Sequence, residues 1–309
     1  MLSKILLRPT LLLGLLLLSL ITALIHDACA ETVTGCPLGL RKGEIWIKGL
    51  FASSDADEYY NSQTDAMEVL PEGWHQSVSK FTTRIGYGLS DIVEVGLVLP
   101  YKHLDMRKKE KGEWITKDSQ GLEDIWIAVA WKFVDNPDSA TLEAAKLGLG
   151  FNLDTASDNS VKNGIGDGAK GIRVVLLSHE HLTNTLHLCN HIYYDWLGKA
   201  RRIQGWKKSD WNYGDRIGYK FIAEYSLGSR FRISAGPIGW TEVVETKSAD
   251  GSRTPGRFYS HSLAVKLLYL PTGNERDHKK ISIGVDIPYS AKKSFSPDYS
   301  MKVIFMWTF

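Results

Sequence analysis

The chain has 309 residues, of which 43% are hydrophobic and 23% charged, and its 37 basic and 35 acidic side chains nearly balance. This composition excludes an intrinsically disordered protein, and the balanced charge excludes a nucleic-acid-binding protein that depends on high overall positive charge. No Pro-rich or Ser-rich linker and no repeat of about 20 to 50 residues divides the chain. We therefore expect a single domain.

The first 30 residues have the pattern of an export signal. A basic start precedes an apolar run over 11–25, and Ala28-Cys29-Ala30 forms a small-residue cleavage site. A membrane anchor is the alternative, but a spanning helix needs about 20 residues and this run is shorter. We expect residues 1–30 to be a signal peptide and residues 31–309 to form an outer-membrane β-barrel.

Two cysteines, Cys36 and Cys189, remain after the expected cleavage. They are too few for a disulfide scaffold, and the sequence contains no Cys-x-x-Cys redox motif or zinc-finger spacing. A lipoprotein anchored at Cys36 is an alternative to the simple signal, although polar residues separate this cysteine from the apolar run.

The C-terminal segment alternates strictly. From Tyr299 to Phe309 every second residue is apolar or aromatic, which predicts a β-strand with one apolar face. Such a strand resembles the closing strand of bacterial outer-membrane β-barrels, whose assembly machinery recognises a terminal aromatic residue such as Phe309. A buried strand of a soluble sandwich is the alternative.

The rest of the chain repeats this alternation in segments of about ten residues separated by turns, which is typical of a transmembrane β-barrel. After the signal no apolar stretch is long enough for a spanning helix, and a closed barrel is the other fold that pairs every backbone amide in lipid. The predicted fold class is all-β, a single antiparallel transmembrane barrel of about 12 strands with both termini periplasmic. The predicted strands cover 43–53, 77–88, 92–104, 122–134, 142–154, 170–182, 185–197, 215–227, 230–243, 257–270, 279–289 and 299–309.

An even number of strands makes the connections alternate between long external loops and short periplasmic turns. The turns at 88–91, 183–184 and 227–229 are short and rich in turn-forming residues. The connections 271–278 and 290–298 are similar in length, so the rule weakens there. Long polar loops are predicted over 54–76, 105–121, 155–169, 198–214 and 244–256.

Each predicted strand has one apolar face for lipid and one polar face, on which basic residues outnumber acidic ones. A polar face of this kind must contact water or a polar interior. An open basic lumen should favour anions, because rings of one charge sign set selectivity. Ion pairing that plugs the barrel is the alternative. The residues expected to line the lumen are Lys80, Arg84, Glu94, Asp124, Lys132, Arg173, Lys220, Arg232, Lys266 and Asp286.

Two segments, 88–101 and 121–133, begin with Gly-Leu-x-Asp, and the first ends in Pro-Tyr. They follow Cys36-Pro-Leu38 and Gly43-Glu44. These motifs resemble an outer-membrane family of transporters that is named for the MetA pathway of phenol degradation. The resemblance covers about residues 36–133 by motif and the remainder by architecture. It implies uptake of small molecules, with aromatic compounds as candidate solutes.

Histidines cluster around one predicted turn, in Ser178-His-Glu-His181 and His187-Leu-Cys-Asn-His191. With a three-residue loop over 182–184, His179 lies opposite His187 and the cluster shares one face, whereas a two-residue turn splits it. Converging imidazoles can bind zinc or copper. We expect ordinary polar lumen residues here and no cofactor. The candidate ligands are His179, His181, His187 and His191.

An outer-membrane lipid hydrolase is a second function class, because His261-Ser262 and Asn190-His191 supply the residue types of a catalytic triad. Adjacent residues of one strand point to opposite faces, however, and no phospholipase-like motif surrounds either pair. We therefore expect no enzymatic activity.

The sequence thus predicts a Gram-negative outer-membrane channel or transporter that passes small solutes, aromatic or anionic, by passive diffusion through a basic lumen. Ile222, Ile304 and Met306 would form apolar patches in the lumen suited to an aromatic solute. The expected partners are the solute, outer-membrane lipids and lipopolysaccharide, whose phosphates basic loop residues such as 107–111 can contact. A non-conducting structural or adhesive barrel is the alternative.

Overall fold

The computed structural model describes most of the chain from Leu38 onwards. The expected signal peptide at residues 1–30 and Cys36 lie outside the described residues, so these expectations stay predictions. The described residues are 38–61, 64, 66–110, 112–136, 139, 141–157, 165–166, 168–204, 207–212, 214–244, 258–274, 277, 279–292, 295–297 and 299–309.

The described chain is built from β-strands that alternate with turns. Among these residues no helix has the length and apolar character needed to cross a membrane. The strands are β1 (Ile45–Asn61), β2 (Ala66–Val69), β3 (His75–Gly88), β4 (Val93–Glu110), β5 (Glu113–Leu122), β6 (Ile125–Asp135), β7 (Leu142–Leu153), β8 (Ala169–His181), β9 (Leu186–Gln204), β10 (Lys207–Asn212), β11 (Arg216–Ser226), β12 (Phe231–Glu242), β13 (Tyr259–Tyr269), β14 (Lys280–Lys292), β15 (Phe295–Pro297) and β16 (Ser300–Thr308).

Twelve of these strands form a closed ring in which each is hydrogen-bonded to both neighbours. The order is β1-β3-β4-β6-β7-β8-β9-β11-β12-β13-β14-β16, and antiparallel pairing of β16 with β1 closes the ring. Closure leaves no unpaired sheet edge, which is the condition for a sheet that spans lipid. The prediction of a 12-stranded antiparallel β-barrel is confirmed, and each ring strand overlaps one predicted segment.

The four remaining strands extend the barrel wall at one end. β2 and β15 pair with the far part of β1, β5 pairs with β4, and β10 pairs with β9. Much of the predicted long loops 54–76, 105–121 and 198–214 is therefore β-strand. A hairpin of polar residues can continue beyond the membrane, because the backbone groups of its two strands form hydrogen bonds with each other. The polarity of the side chains does not reveal this pairing.

The two ends of the barrel differ in their connections. At one end, which we name the terminal end, the backbones of Ile45 and Phe309 are hydrogen-bonded and short turns occupy 89–92, 182–185 and 227–230. At the opposite end, the hairpin end, β2, β5, β10 and β15 lengthen the wall. The predicted alternation of short and long connections follows this division.

Strand alternation gives the barrel an apolar outer surface. On β6, Ile127, Val129 and Trp131 are 42%, 37% and 50% exposed, whereas Ala130 between them is 1% exposed. The last strand has the same pattern, with Phe305 on the outer face. These outer residues match the apolar face predicted from the sequence, and such a surface suits contact with lipid.

Side chains reinforce the β1–β2 hairpin at the hairpin end. Glu68 accepts hydrogen bonds from Thr64 at 2.6 Å, from Asn61 at 2.9 Å and from Tyr59 at 3.2 Å. The bonds from Thr64 and Asn61 lower the pKa of the Glu68 carboxyl group, because they stabilise its charged form. This cluster lies at the hairpin end, beyond the part of β1 that pairs with β3.

Candidate functional site

The ten residues predicted to line the lumen divide into three sets in the structure. One residue, Asp124, lies at the hairpin end, and three lie at the terminal end: Glu94, Lys132 and Arg232. The other six line a central cavity: Lys80, Arg84, Arg173, Lys220, Lys266 and Asp286.

The central cavity has a volume of about 170 Å³. An apolar protein cavity of about 150 Å³ can hold one benzene molecule, so a single small ring fits this space. Three aromatic side chains form flat parts of its wall: Trp126, Tyr193 and Tyr219. Its charged lining consists of six basic residues and one acidic residue, namely Lys80, Arg84, Arg173, Lys220, Lys266, Lys302 and Asp286.

Arg173 is positioned in this cavity by one carboxylate and two rings. Its Nε and one terminal nitrogen donate to the two carboxylate oxygens of Asp195, at 2.5 and 2.6 Å. Its guanidinium carbon lies 4.4 Å from the ring centre of Tyr193 and 5.1 Å from that of Trp126. Two parallel hydrogen bonds and two aromatic faces fix the plane of the guanidinium group.

Two other cations of the cavity form ion pairs. Lys80 pairs with Glu123, which follows β5, and Lys302 pairs with Asp286 of the adjacent strand. These pairs compensate part of the positive charge. The lining itself remains basic, because Asp286 is its one acidic member.

The N-terminal segment 38–44 enters the terminal end of the barrel. Leu38 packs against Ala144, and Leu40 packs against Trp46 and Met306. Both leucines are 2% exposed. Met306 therefore lies on the inner face, as expected, and packs against Leu40, whereas its suggested role towards an aromatic solute stays a prediction. The sequence did contain a signal for this segment. Ile304 and Met306 are apolar residues on the inner face of the last strand, and such residues need a covering partner.

A buried ion pair lies next to this segment. Lys146 Nζ donates to Glu94 Oε1 at 2.6 Å, and the two side chains are 1% and 5% exposed. The other oxygen of Glu94 accepts a hydrogen bond from the backbone nitrogen of Leu40 at 3.0 Å. The pair therefore links β4 to β7 and also holds the N-terminal segment against the wall.

The two remaining cations at the terminal end also have carboxylate partners. Lys132 Nζ lies 2.5 Å from an oxygen of Asp135, and Arg232 lies 3.4 Å from Glu224. Neither cation lines the central cavity. Both cations thus take part in local charge compensation, and their expected place along a solute path stays a prediction.

Asp124 anchors a connection at the hairpin end. Its carboxylate accepts hydrogen bonds from the backbone nitrogens of Thr155, Ala156 and Gly168, at 3.0, 2.8 and 2.9 Å. The carboxylate thereby holds both ends of the long connection between β7 and β8. The negative charge of Asp124 is stabilised by these three amides, and Asp124 does not line the central cavity.

The histidine cluster lies at the terminal end, around the turn over 182–185. His181 is paired with His187 and His179 with Cys189. The predicted pairing of His179 with His187 is wrong, because the turn is longer than three residues and the register moves by two. A shift of two residues leaves every side chain on the same face, so the histidines still converge on the interior.

Glu143 joins this cluster from β7. Its Oε2 lies 2.7 Å from Nδ1 of His179 and 2.7 Å from Nε2 of His181. Leu147 is exposed on the outer face, and residue 143 is an even number of positions away. With strict alternation, residue 143 would therefore also face lipid. A bulge between Leu142 and Ala144 turns the carboxylate inward instead, as bulges do near functional sites. Sequence periodicity therefore could not have identified Glu143.

The residue types of a hydrolase are separated in the structure. Ser262 and His261 are 4% and 9% exposed, and His261 lies between the rings of Tyr259 and Tyr289, with centroid distances of 5.5 and 5.3 Å, on the face of β13 opposite to Ser262. The strand lies between the two side chains. His261 therefore cannot act as a base for Ser262.

Comparison with known proteins identifies the same architecture elsewhere. No family model matches the sequence, and no curated protein is significantly similar to it. The crystal structure of an outer membrane channel from Pseudomonas putida F1 is similar, with a TM-score of 0.71 and 11% sequence identity over 89% of this chain and 98% of that chain. The transport unit of the autotransporter AIDA-I from Escherichia coli is similar with a TM-score of 0.50 and 11% identity, over 86% of this chain and 90% of that chain. At these identities the similarity establishes a shared barrel fold.

Proposed function

We propose that this chain is a channel of the Gram-negative outer membrane through which small anionic solutes, aromatic carboxylates in particular, diffuse passively. The observation that carries this proposal is the central cavity, with its six basic residues, single acidic residue and three aromatic side chains. The motif resemblance to the transporter family named for the MetA pathway and the fold of the Pseudomonas putida channel support it.

The chemistry of the cavity favours a flat anion. Basic side chains in a confined, partly desolvated space attract a negative charge more strongly than they would in bulk water. Trp126, Tyr193 and Tyr219 offer apolar ring faces against which an aromatic ring can pack. A carboxylate attached to one ring combines both features, and its size matches the cavity.

In this proposal the terminal end faces the periplasm and the hairpin end faces the exterior. Basic residues on β4, such as Arg107 and Lys109, then lie where lipopolysaccharide phosphates occur. Arg107 is stacked over Trp114 at 4.4 Å, which presents it on a rigid part of the wall. The C-terminal strand that ends at Phe309 is proposed as the signal for the barrel-assembly machinery.

Single-channel recording of the detergent-purified protein in a planar bilayer tests the proposal. A salt gradient across the bilayer should give a reversal potential that reports preference for anions. Replacing two cavity lysines, Lys220→Gln and Lys266→Gln, should move the reversal potential towards zero. Lys109→Gln, which removes an exposed charge at the hairpin end, is the matched control and should leave it unchanged.

Solute competition completes the experiment. Benzoate added to the bath should interrupt chloride current more strongly than acetate, because only benzoate can use the aromatic wall. A folded, heat-modifiable barrel that conducts no current would overturn the channel proposal and favour a structural barrel. Cation preference in the unaltered protein would overturn the basic solute path.

A further inference from the structure

We propose that the terminal end of the barrel contains a binding site for a divalent transition-metal ion of the kind that imidazole binds, with Zn²⁺ as the probe. The ligands are His179, His181 and His187, and Glu143 orients two of them. The site is independent of the proposed channel function, because none of these residues lines the central cavity.

The three imidazoles are already close enough for one ion. One ligand nitrogen from each lies within 4.8 Å of the others. The ring centres of His181 and His187 are 4.5 Å apart, and those of His179 and His187 are 5.5 Å apart. Tetrahedral Zn²⁺ with nitrogen ligands places those nitrogens roughly 3.3 Å apart. Small changes in side-chain torsion angles therefore suffice to complete the geometry.

The backbone makes this convergence reproducible. His179 and His181 are alternate residues of β8, so they share its inner face, and His187 lies directly opposite His181 on β9. A short hairpin turn connects the two strands. All three ligands therefore belong to one rigid β-hairpin, which is a better support for a metal site than a loop.

Glu143 supplies the carboxylate that commonly accompanies metal-binding histidines. Its Oε2 contacts Nδ1 of His179 and Nε2 of His181, which fixes the orientation of both rings. The same carboxylate oxygen therefore lies where the two imidazoles approach each other. A β-bulge turns Glu143 away from lipid and towards these histidines.

Burial makes the cluster suited to an ion. His179, His187 and Glu143 are 1%, 6% and 5% exposed, whereas His181 is partly exposed towards the barrel mouth. The exposed side of His181 provides an entry path, and the fourth coordination position is left for water.

Isothermal titration with ZnCl₂ tests the proposal on detergent-purified protein that carries no polyhistidine tag and has been treated with a chelator. The unaltered barrel should bind one Zn²⁺ ion. His179→Ala and His187→Ala should each weaken binding by more than about 100-fold, and Glu143→Gln should weaken it by about 10- to 100-fold. His103→Ala is the matched control, because His103 also contacts a carboxylate, Asp118, at 2.9 Å but lies exposed at the hairpin end.

Two results would overturn the site: no Zn²⁺ binding by the unaltered barrel, or binding that is unchanged by loss of both His179 and His187. A second measurement needs no variant and therefore does not depend on folding of the altered proteins. Co²⁺ added to the unaltered protein should give the intense visible absorption of a tetrahedral ion. The weak absorption of an octahedral, hydrated ion would also contradict the proposal.

Discussion

The terminal end of the barrel and the central cavity use the same inward-facing strand positions, but they compensate their charges differently. At the terminal end, Lys146 is paired with Glu94, Lys132 with Asp135 and Arg232 with Glu224. The cavity also contains ion pairs, such as Arg173 with Asp195, but its lining has six basic residues and one acidic residue.

This difference separates a structural role from a binding role. Opposite charges that meet in a desolvated region hold strands together, and little attraction is left for a solute. In the proposed channel, an excess of basic side chains around one space gives a positive local potential, which favours a solute of negative charge. The comparison predicts large effects on stability at the terminal end and large effects on selectivity in the cavity.

The largest expected effect on stability comes from Glu94→Gln. This change removes the carboxylate that contacts Lys146, whose side chain is 1% exposed, and breaking a buried pair in this way costs about 3 to 5 kcal/mol. Denaturant unfolding in detergent, followed by heat-modifiability on gels, measures the loss. Glu123→Gln is the control, because the Lys80–Glu123 pair is partly exposed and should cost about 1 kcal/mol or less.

A double variant makes this prediction sharper. Glu94→Gln combined with Lys146→Met removes the buried cation together with its partner, so it should recover much of the stability lost in the single variant. If the double variant is as unstable as Glu94→Gln alone, the cost does not arise from an uncompensated charge.

The next effect concerns the N-terminal segment 38–44. Leu40→Ala removes packing against Trp46 and Met306, and a buried leucine-to-alanine change costs about 2 to 5 kcal/mol. Hydrogen exchange at residues 40–44 should become at least about tenfold faster, since 1.4 kcal/mol corresponds to a factor of ten. Single-channel conductance should rise if the segment narrows the periplasmic mouth.

The control for this change is Leu263→Ala, because Leu263 is 42% exposed on the outer face of β13. Its exchange rates over 40–44 should match those of the unaltered protein. Equal acceleration in both variants would mean that the whole barrel had loosened and that Leu40 has no specific role.

The fold was largely predictable because lipid imposes period-two alternation on every spanning strand. Phe305 and Trp131, for example, lie on the outer face that their sequence position predicts. The hairpin extensions were not predictable, because no lipid contact imposes an apolar face there. Pairing in β5 and β10 depends on backbone hydrogen bonds, which polar residues permit as readily as a loop does.

The candidate site was predictable only in part. Lys80, Arg84 and Lys220 were expected to line a solute path, and they line the cavity. Asp195 and Glu143 were not identified, for different reasons. Asp195 lies directly opposite Arg173, which depends on the hairpin register, and neither of the two turn lengths left open by the sequence gives this register. Glu143 depends on a bulge, which shifts alternation by one residue and leaves no periodic signal.

The smallest expected effect on stability separates charge from geometry within the cavity. Arg173→Lys keeps the positive charge but loses the paired hydrogen bonds to Asp195 and the stacking on Tyr193, which together should cost about 1.5 to 3 kcal/mol. The reversal potential should stay close to that of the unaltered channel, because selectivity depends on charge. Block by benzoate should weaken, because the lysine no longer holds Tyr193 and Trp126 in place as a flat wall. A large change in reversal potential with unchanged benzoate block would contradict this prediction. It would mean that the guanidinium group of Arg173 governs ion preference and that Tyr193 and Trp126 bind benzoate without its help.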